Sequence, residues 1–157
     1  MSGVLGYLHL QGVGASGSST PVKSGCEIRE HMTARGERVA IIDDEEAMTS
    51  VTAALLQRLG YSTVTYTSGA RFVADFDANP ERINLVLSDV VMPGMTGVQL
   101  VRTLRESGHD VPILLMTGFS VQSRLEPGGS SGRVSFVRKP FTATHLAQSV
   151  RRMLINN

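Results

Sequence analysis

Three carboxylates, one hydroxyl and one ammonium stand at the ends of short apolar runs in this sequence. They are Asp43, Asp44, Asp89, Thr117 and Lys139. Aspartate is almost never fully buried without a partner, and carboxylates held close together disfavour one another's ionisation. If these side chains meet in the folded chain, the carboxylates therefore need a cation beside them.

The carboxylates have the chemistry of a site for a hard cation. Mg²⁺ takes oxygen ligands and is usually held by one or two carboxylates together with waters and phosphate oxygens. Asp43, Asp44 and Asp89 would supply such ligands. With the metal in place, one carboxylate can attack a phosphoryl donor and become an aspartyl phosphate. Thr117 and Lys139 would then bind the phosphoryl oxygens.

Each residue also has an ordinary structural interpretation. An Asp-Asp pair after a strand commonly caps a helix, and a single Thr in that position is usually structural. Lys139-Pro140 is a common turn dipeptide. The combination is more specific than its parts, because the residues follow different strands of one repeating pattern.

That pattern is an alternation of strand-like and helix-like segments after Arg38. The predicted strands are residues 39–42, 63–66, 83–87, 111–116 and 134–137. The predicted helices are residues 47–59, 70–77, 98–106 and a last one that begins after Thr142. Such alternation favours an α/β fold, a five-stranded parallel sheet with helices on both faces. Ligands of these folds bind beyond the carboxyl ends of the strands. The three carboxylates, Thr117 and Lys139 are expected to meet there.

Apolar spacing supports two of the helices. The first has a stripe at helical spacing, formed by Met48, Val51, Leu55 and Leu59. The last is predicted to be capped by Thr142 and to turn inward Leu146, Val150 and either Met153 or Leu154. Between the fourth and fifth strands, Glu126-Pro127 and three glycines predict that any helix is short or irregular.

The chain divides into two regions of different composition. Residues 1–36 are rich in Gly and Ser, which is typical of a linker or a disordered extension, and residues 37–157 form the predicted domain. Cys26 is the single cysteine, so no internal disulfide is expected, and no Cys/His spacing indicates zinc. We assign no chemistry to the first region.

Charge and hydropathy exclude several classes of protein. The net charge of +1 and the mean hydropathy of +0.03 indicate neither a nucleic-acid nor a membrane partner. No window approaches the roughly 18 apolar residues of a membrane span, and the start of the chain lacks the basic flank of a signal peptide. A cytoplasmic location is the expectation.

The sequence resembles the receiver domain of two-component response regulators over residues 37–154. The resemblance is carried by Ile42-Asp43-Asp44-Glu45, Ser88-Asp89-Val-Val-Met-Pro-Gly-Met-Thr-Gly97, Met116-Thr117-Gly118 and Lys139-Pro140-Phe141. The second and third motifs are also similar to those of receivers in hybrid histidine kinases. The resemblance implies a flavodoxin-like (βα)5 fold.

The resemblance further implies a role for each residue of the site. Asp89 would be the phosphoacceptor. The ligands of Mg²⁺, or of Mn²⁺ in its place, would be Asp44, Asp89, the backbone carbonyl of Val91 and, through a water, Asp43.

Three further roles concern the response to phosphorylation. Thr117 would bond a phosphoryl oxygen and move on activation, and Lys139 would pair with the phosphorylated carboxylate. The bond before Pro140 would be cis. Phe136 is either the switch aromatic of the family or a core aromatic of the last strand, and the sequence leaves both interpretations open.

The resulting expectation is a phosphorylation switch rather than an enzyme, with intrinsic autodephosphorylation as its only turnover. A histidine kinase or a histidine phosphotransfer protein would phosphorylate Asp89 and thereby change conformation and partner binding. No output domain is expected within the chain. Homodimerisation is left open, because the shortened helix lies in the signalling face of the family.

Two other functions compete with this one. A receiver-like binding module that is never phosphorylated typically lacks an acid, the Thr or the Lys, whereas all of them are present here. A Mg²⁺-dependent phosphatase of the haloacid-dehalogenase kind requires a second acid two residues after its nucleophile. Val91 occupies that place after Asp89, which disfavours the phosphatase.

Overall fold

The computed structural model describes Ala34 and residues 36–118 and 133–155. Its strands are β1 (Arg38–Ile42), β2 (Ser62–Tyr66), β3 (Leu85–Asp89), β4 (Ile113–Thr117) and β5 (Val134–Arg138). Its α-helices, within the described ranges, are α1 (Glu46–Arg58), α2 (Gly69–Ala78), α3 (Gly97–Glu106) and α4 (Ala143–Ile155). The prediction for residues 119–132, a short or irregular helix, and most of the predicted 1–36 extension lie outside the described residues.

The five strands form one parallel sheet in the order β2-β1-β3-β4-β5. After β1 the chain moves outward to β2 and then returns across β1 to β3. The order therefore reverses between β1 and β3, and this is the switch point at which α/β folds place their ligands. The predicted parallel sheet is confirmed.

Helices cover both faces of the sheet, as predicted. On one face, α1 and α4 pack against a cluster that includes Leu56 and Val150. On the other, α2 and α3 pack against a cluster that includes Phe72 and Leu100. The central strands between the two layers are almost fully buried, which explains their near-continuous apolar runs.

The prediction for the last helix is largely confirmed. Leu146, Val150 and Met153 are buried in α4, whereas Leu154 is half-buried at the margin of the same cluster. The Thr142 hydroxyl accepts a hydrogen bond of 3.1 Å from the His145 N–H, so Thr142 caps the helix as expected.

The apolar stripe of α1 is not its buried face. The structure buries Thr49, Thr52, Ala53 and Leu56, whereas Val51 is 65% exposed. One residue along a helix corresponds to a rotation of about 100°, so the helix is turned by that amount from the orientation that its apolar spacing indicates.

The third strand begins two residues later than predicted, at Leu85, and a 3₁₀ turn at Pro80–Arg82 precedes it. Asp89 is therefore the last residue of β3, whereas the predicted strand ended two residues before it. Among the helices of the described residues, none has both the length and the apolar character that crossing a membrane requires.

Candidate functional site

The parallel sheet brings the predicted site residues to its carboxyl edge. Asp43 follows β1, Asp89 ends β3, Thr117 ends β4 and Lys139 follows β5. Strand register aligns these ends, because Ile42 pairs with Ser88, Asp89 with Met116 and Thr117 with Arg138. We refer to Asp43, Asp44, Asp89, Thr117 and Lys139 as the edge site.

Lys139 joins two of the carboxylates. Its Nζ donates hydrogen bonds to Asp89 Oδ1 at 2.6 Å and to Asp43 Oδ2 at 2.9 Å. The side chain of Asp43 is 4% exposed and that of Asp89 is 13% exposed. These partly buried contacts are charge-assisted hydrogen bonds, the stronger class of such bonds. The sequence-based expectation paired Lys139 with Asp89 alone, so the contact with Asp43 is an addition from the structure.

The electrostatics of Lys139 follow from these contacts. Burial by itself lowers the pKa of an ammonium, but the hydrogen bonds to Asp89 and Asp43 outweigh it and raise the pKa of Lys139 above its usual value of 10.5. A raised pKa in the folded state means that the ion pair contributes stability at neutral pH. That contribution is lost as the pH rises through the folded-state pKa.

Substituting Lys139→Gln is therefore expected to lower the free energy of unfolding by about 1 kcal/mol, because the ammonium is partly exposed and its hydrogen bonds are only partly desolvated. The loss should stay constant between about pH 6 and pH 9 and shrink above about pH 10.5, where wild-type Lys139 also becomes neutral. Urea denaturation of both proteins across this range measures it. A difference that grows with pH would contradict the assigned sign.

The remaining carboxylate oxygens of the pair are held by backbone amides. The Glu45 N–H donates to Asp43 Oδ1 at 3.0 Å, and the Val91 N–H donates to Asp89 Oδ2 at 2.8 Å. Both carboxylates are thus oriented from two sides. Asp44 is exposed, and within the described ranges no three acidic, His or Cys side chains form a ready metal cluster.

The other predicted residues lie at the same edge with different contacts. The Thr117 hydroxyl is buried and donates to the Gly118 carbonyl at 2.9 Å. Phe136 is half-buried and packs against the core cluster of α2 and α3. The Lys139-Pro140 peptide bond is cis, the isomer that the resemblance implies.

Gly97, the last residue of the motif that begins at Ser88, supports the edge site by close packing. A Cβ added there would overlap the backbone oxygen of Asp89 and would lie 3.0 Å from both Leu115 Cδ2 and Val90 Cα. The Gly97 N–H donates to the Val90 carbonyl at 2.9 Å. The start of α3 thus sits directly on the end of β3. The available signal was a glycine immediately after the helix cap Thr96.

A family model for the response regulator receiver domain matches residues 39–151. This chain belongs to that family. Receiver domains accept a phosphoryl group in two-component signalling and interact with histidine kinases. The predicted family and its general function are therefore confirmed, and membership favours this function over the phosphatase alternative.

Curated receivers from bacteria are similar to this chain. It is 29% identical over 135 residues to the response regulator protein TodT of Pseudomonas putida, an alignment that covers 85% of this chain and 59% of TodT. It is 29% identical over 116 residues to the sensor kinase CckA of Brucella abortus, covering 74% of this chain and 12% of CckA. The chain thus spans only part of the length of these relatives.

Solved receiver structures share the fold. The receiver domain of the hybrid histidine kinase CckA superposes with a TM-score of 0.62 at 29% identity, covering 74% of this chain and 98% of that domain. The likeness to CckA agrees with the sequence motifs that are similar to those of hybrid-kinase receivers.

Proposed function

We propose that Asp89 accepts the phosphoryl group and that the edge site performs this transfer with a divalent cation. The observation that carries the proposal is the position of Lys139 Nζ, which bridges Asp89 and Asp43 at the switch point of the sheet. An ammonium fixed on the acceptor carboxylate is placed to balance the charge that a phosphoryl group would bring.

The donor set fits Mg²⁺, with Mn²⁺ as the alternative ion. Asp43, Asp44, Asp89 and the carbonyl of Val91 offer oxygen ligands only, which hard cations prefer. When bound, the metal supplies positive charge to the phosphoryl oxygens and so offsets repulsion between the donor and the carboxylates. Because Asp44 is exposed and Lys139 already neutralises part of the charge on the other two, we expect moderate affinity.

The chain's own residues perform the rest of the reaction. A carboxylate oxygen of Asp89 forms a bond to phosphorus as the bond from phosphorus to the donor atom breaks, and the electron pair leaves with the donor. The Val91 N–H and the Lys139 ammonium hold the Asp89 carboxylate in a fixed orientation during this attack.

The signal follows from the new charge beside β4. A phosphoryl group on Asp89 offers acceptors for the Thr117 hydroxyl, which in the structure donates to the neighbouring Gly118 carbonyl. Exchange of that hydrogen bond for one to the phosphoryl group would move the end of β4, two residues beyond Leu115, which pairs with Phe136 in β5. The partners proposed for this cycle are a histidine kinase or a histidine phosphotransfer protein.

Incubation with acetyl phosphate tests the proposal directly. In the presence of Mg²⁺, the intact mass should rise by one phosphoryl group, and hydroxylamine, which cleaves acyl phosphates but not phosphoesters, should remove the gain. With the metal chelated, no gain is expected. A protein that gains no phosphoryl group with Mg²⁺ and also fails to bind beryllofluoride would be a non-phosphorylated binding module instead.

A further inference from the structure

An apolar groove lies between α1 and α4, away from the edge site. Its volume is about 560 Å³, within the range of sites that hold several side chains. The apolar residues that line it are Val51, Ala54, Leu55, Leu59, Ala143 and Ala147. An apolar cleft at the surface of a protein is a candidate site for a partner or a segment of the chain.

The groove exists because α1 turns its apolar stripe outward. The positions that the spacing of the sequence marks as a helix face are those that the core does not bury, with Val51 65% exposed. Leu55 and Leu59 are half-buried and reach the core only at its margin. Core packing therefore does not explain why this face of α1 is apolar.

The chain enters the domain at one end of this groove. The Ala34 N–H donates to the Leu59 carbonyl at 3.0 Å, and Ala34 packs against the same cluster as Leu55 and Leu59. Residues 1–33, which lie outside the described residues, are therefore joined to the domain beside the groove.

The composition of that tethered segment matches the groove. Residues 1–22 contain no Asp, Glu, Lys or Arg. Its apolar residues concentrate at Val4, Leu5, Tyr7, Leu8 and Leu10. Of the eight described residues that line the groove, Arg58 alone is charged. Burial of uncharged apolar side chains is favoured at such a surface, and no buried charge opposes it.

The chain between Leu10 and Ala34 is long enough to reach along the groove and short enough to keep the segment near it. A chain of 24 residues, the separation of Leu10 from Ala34, reaches at most about 80 Å. Helix α1, at 13 residues, is about 20 Å long. Tethering at this length gives an effective concentration on the order of millimolar. Even a weak intrinsic affinity then suffices for substantial occupancy.

We propose that residues 4–10 of this chain dock in the α1–α4 groove. Both helices that form the groove begin shortly after residues of the edge site. Helix α1 begins three residues after Asp43, and α4 begins four residues after Lys139. This proposal does not depend on phosphorylation of Asp89.

A spin label near the segment tests the proposal in the full chain. A nitroxide is attached at position 9 of the His9→Cys, Cys26→Ser protein, and methyl relaxation is measured by NMR. Ala54 and Leu55 report the groove, whereas Val64, Val73 and Val134, in the cluster on the opposite face of the sheet, serve as reference. Relaxation enhancement at the groove should be on the order of tenfold larger than at the reference.

Matched variants decide whether the contact is specific. Leu5→Ser with Leu8→Ser removes apolar side chains from the segment, and Val51→Lys places a charge in the groove at an exposed position; each should remove most of the difference. Equal enhancement on both faces, or enhancement that survives both variants, would overturn the proposal. So would enhancement in a mixture of spin-labelled and separately isotope-labelled chains, since it would identify a second copy as the occupant.

Discussion

Replacing Asp89 by Asn is expected to abolish phosphoryl transfer from acetyl phosphate, with no mass gain in the presence of Mg²⁺. The amide has no anionic oxygen with which to attack phosphorus and is a poor ligand for a hard cation in place of a carboxylate. The oxygen of the new amide can still accept a hydrogen bond from Lys139, which also retains Asp43. The free energy of unfolding should therefore change by only about 1 kcal/mol.

Glu81→Gln is the matched control for this substitution. It makes the same carboxylate-to-amide change at an exposed residue of the 3₁₀ turn that precedes β3, and it should leave the mass gain unchanged. If Asp89→Asn still gained one phosphoryl group, the acceptor would be another carboxylate of the edge site, and Asp43 or Asp44 would have to be tested next. Urea denaturation of each variant separates loss of chemistry from loss of fold.

The sequence predicted the strand ends better than the helix faces, for a physical reason. A strand buried on both faces reads as an apolar run, and the polar residue that ends the run is conspicuous. Asp43, Thr117 and Lys139 were placed at the correct edge on this basis. Asp89 lies at the same edge, and both Asp89 and Thr117 are the last residues of their strands instead of following them.

The orientation of α1 could not be predicted by the same means. Its buried face is formed by Thr49, Thr52 and Ala53 as well as Leu56, and hydroxyl-bearing side chains weaken the apolar signal on that face. A prediction of the buried face from apolar spacing therefore selects the more apolar stripe, which includes Val51. In the structure that stripe borders the groove. The spacing of apolar residues shows where they lie on the helix. It does not determine which of two neighbouring stripes packs against the sheet.

The contacts within the edge site also could not be predicted from the sequence. That Lys139 reaches Asp43 as well as Asp89 depends on the lateral order of β1, β3, β4 and β5. The close approach of Gly97 to Asp89 depends on where α3 begins. Both contacts join segments that are far apart in the sequence. No local periodicity of the sequence predicts such contacts.

Gly97→Ala is expected to lower the free energy of unfolding by about 2 kcal/mol, net of the better helix propensity of alanine. The added Cβ would overlap the backbone oxygen of Asp89 and press on Val90 and Leu115. Backbone atoms cannot swing aside as a flexible side chain can, so α3 must shift relative to β3. Because that shift moves Asp89, phosphorylation by acetyl phosphate should also slow.

Gly118→Ala is the control that isolates this effect. It adds the same methyl group just after β4, where no described residue places an atom within 4 Å of the new Cβ, so its free energy of unfolding should stay within about 0.5 kcal/mol of wild type. Urea denaturation with an unchanged slope compares the two variants. Equal stabilities would mean that α3 can move off β3 without cost, and the close approach at Gly97 would then have no part in fixing the Asp89 carboxylate.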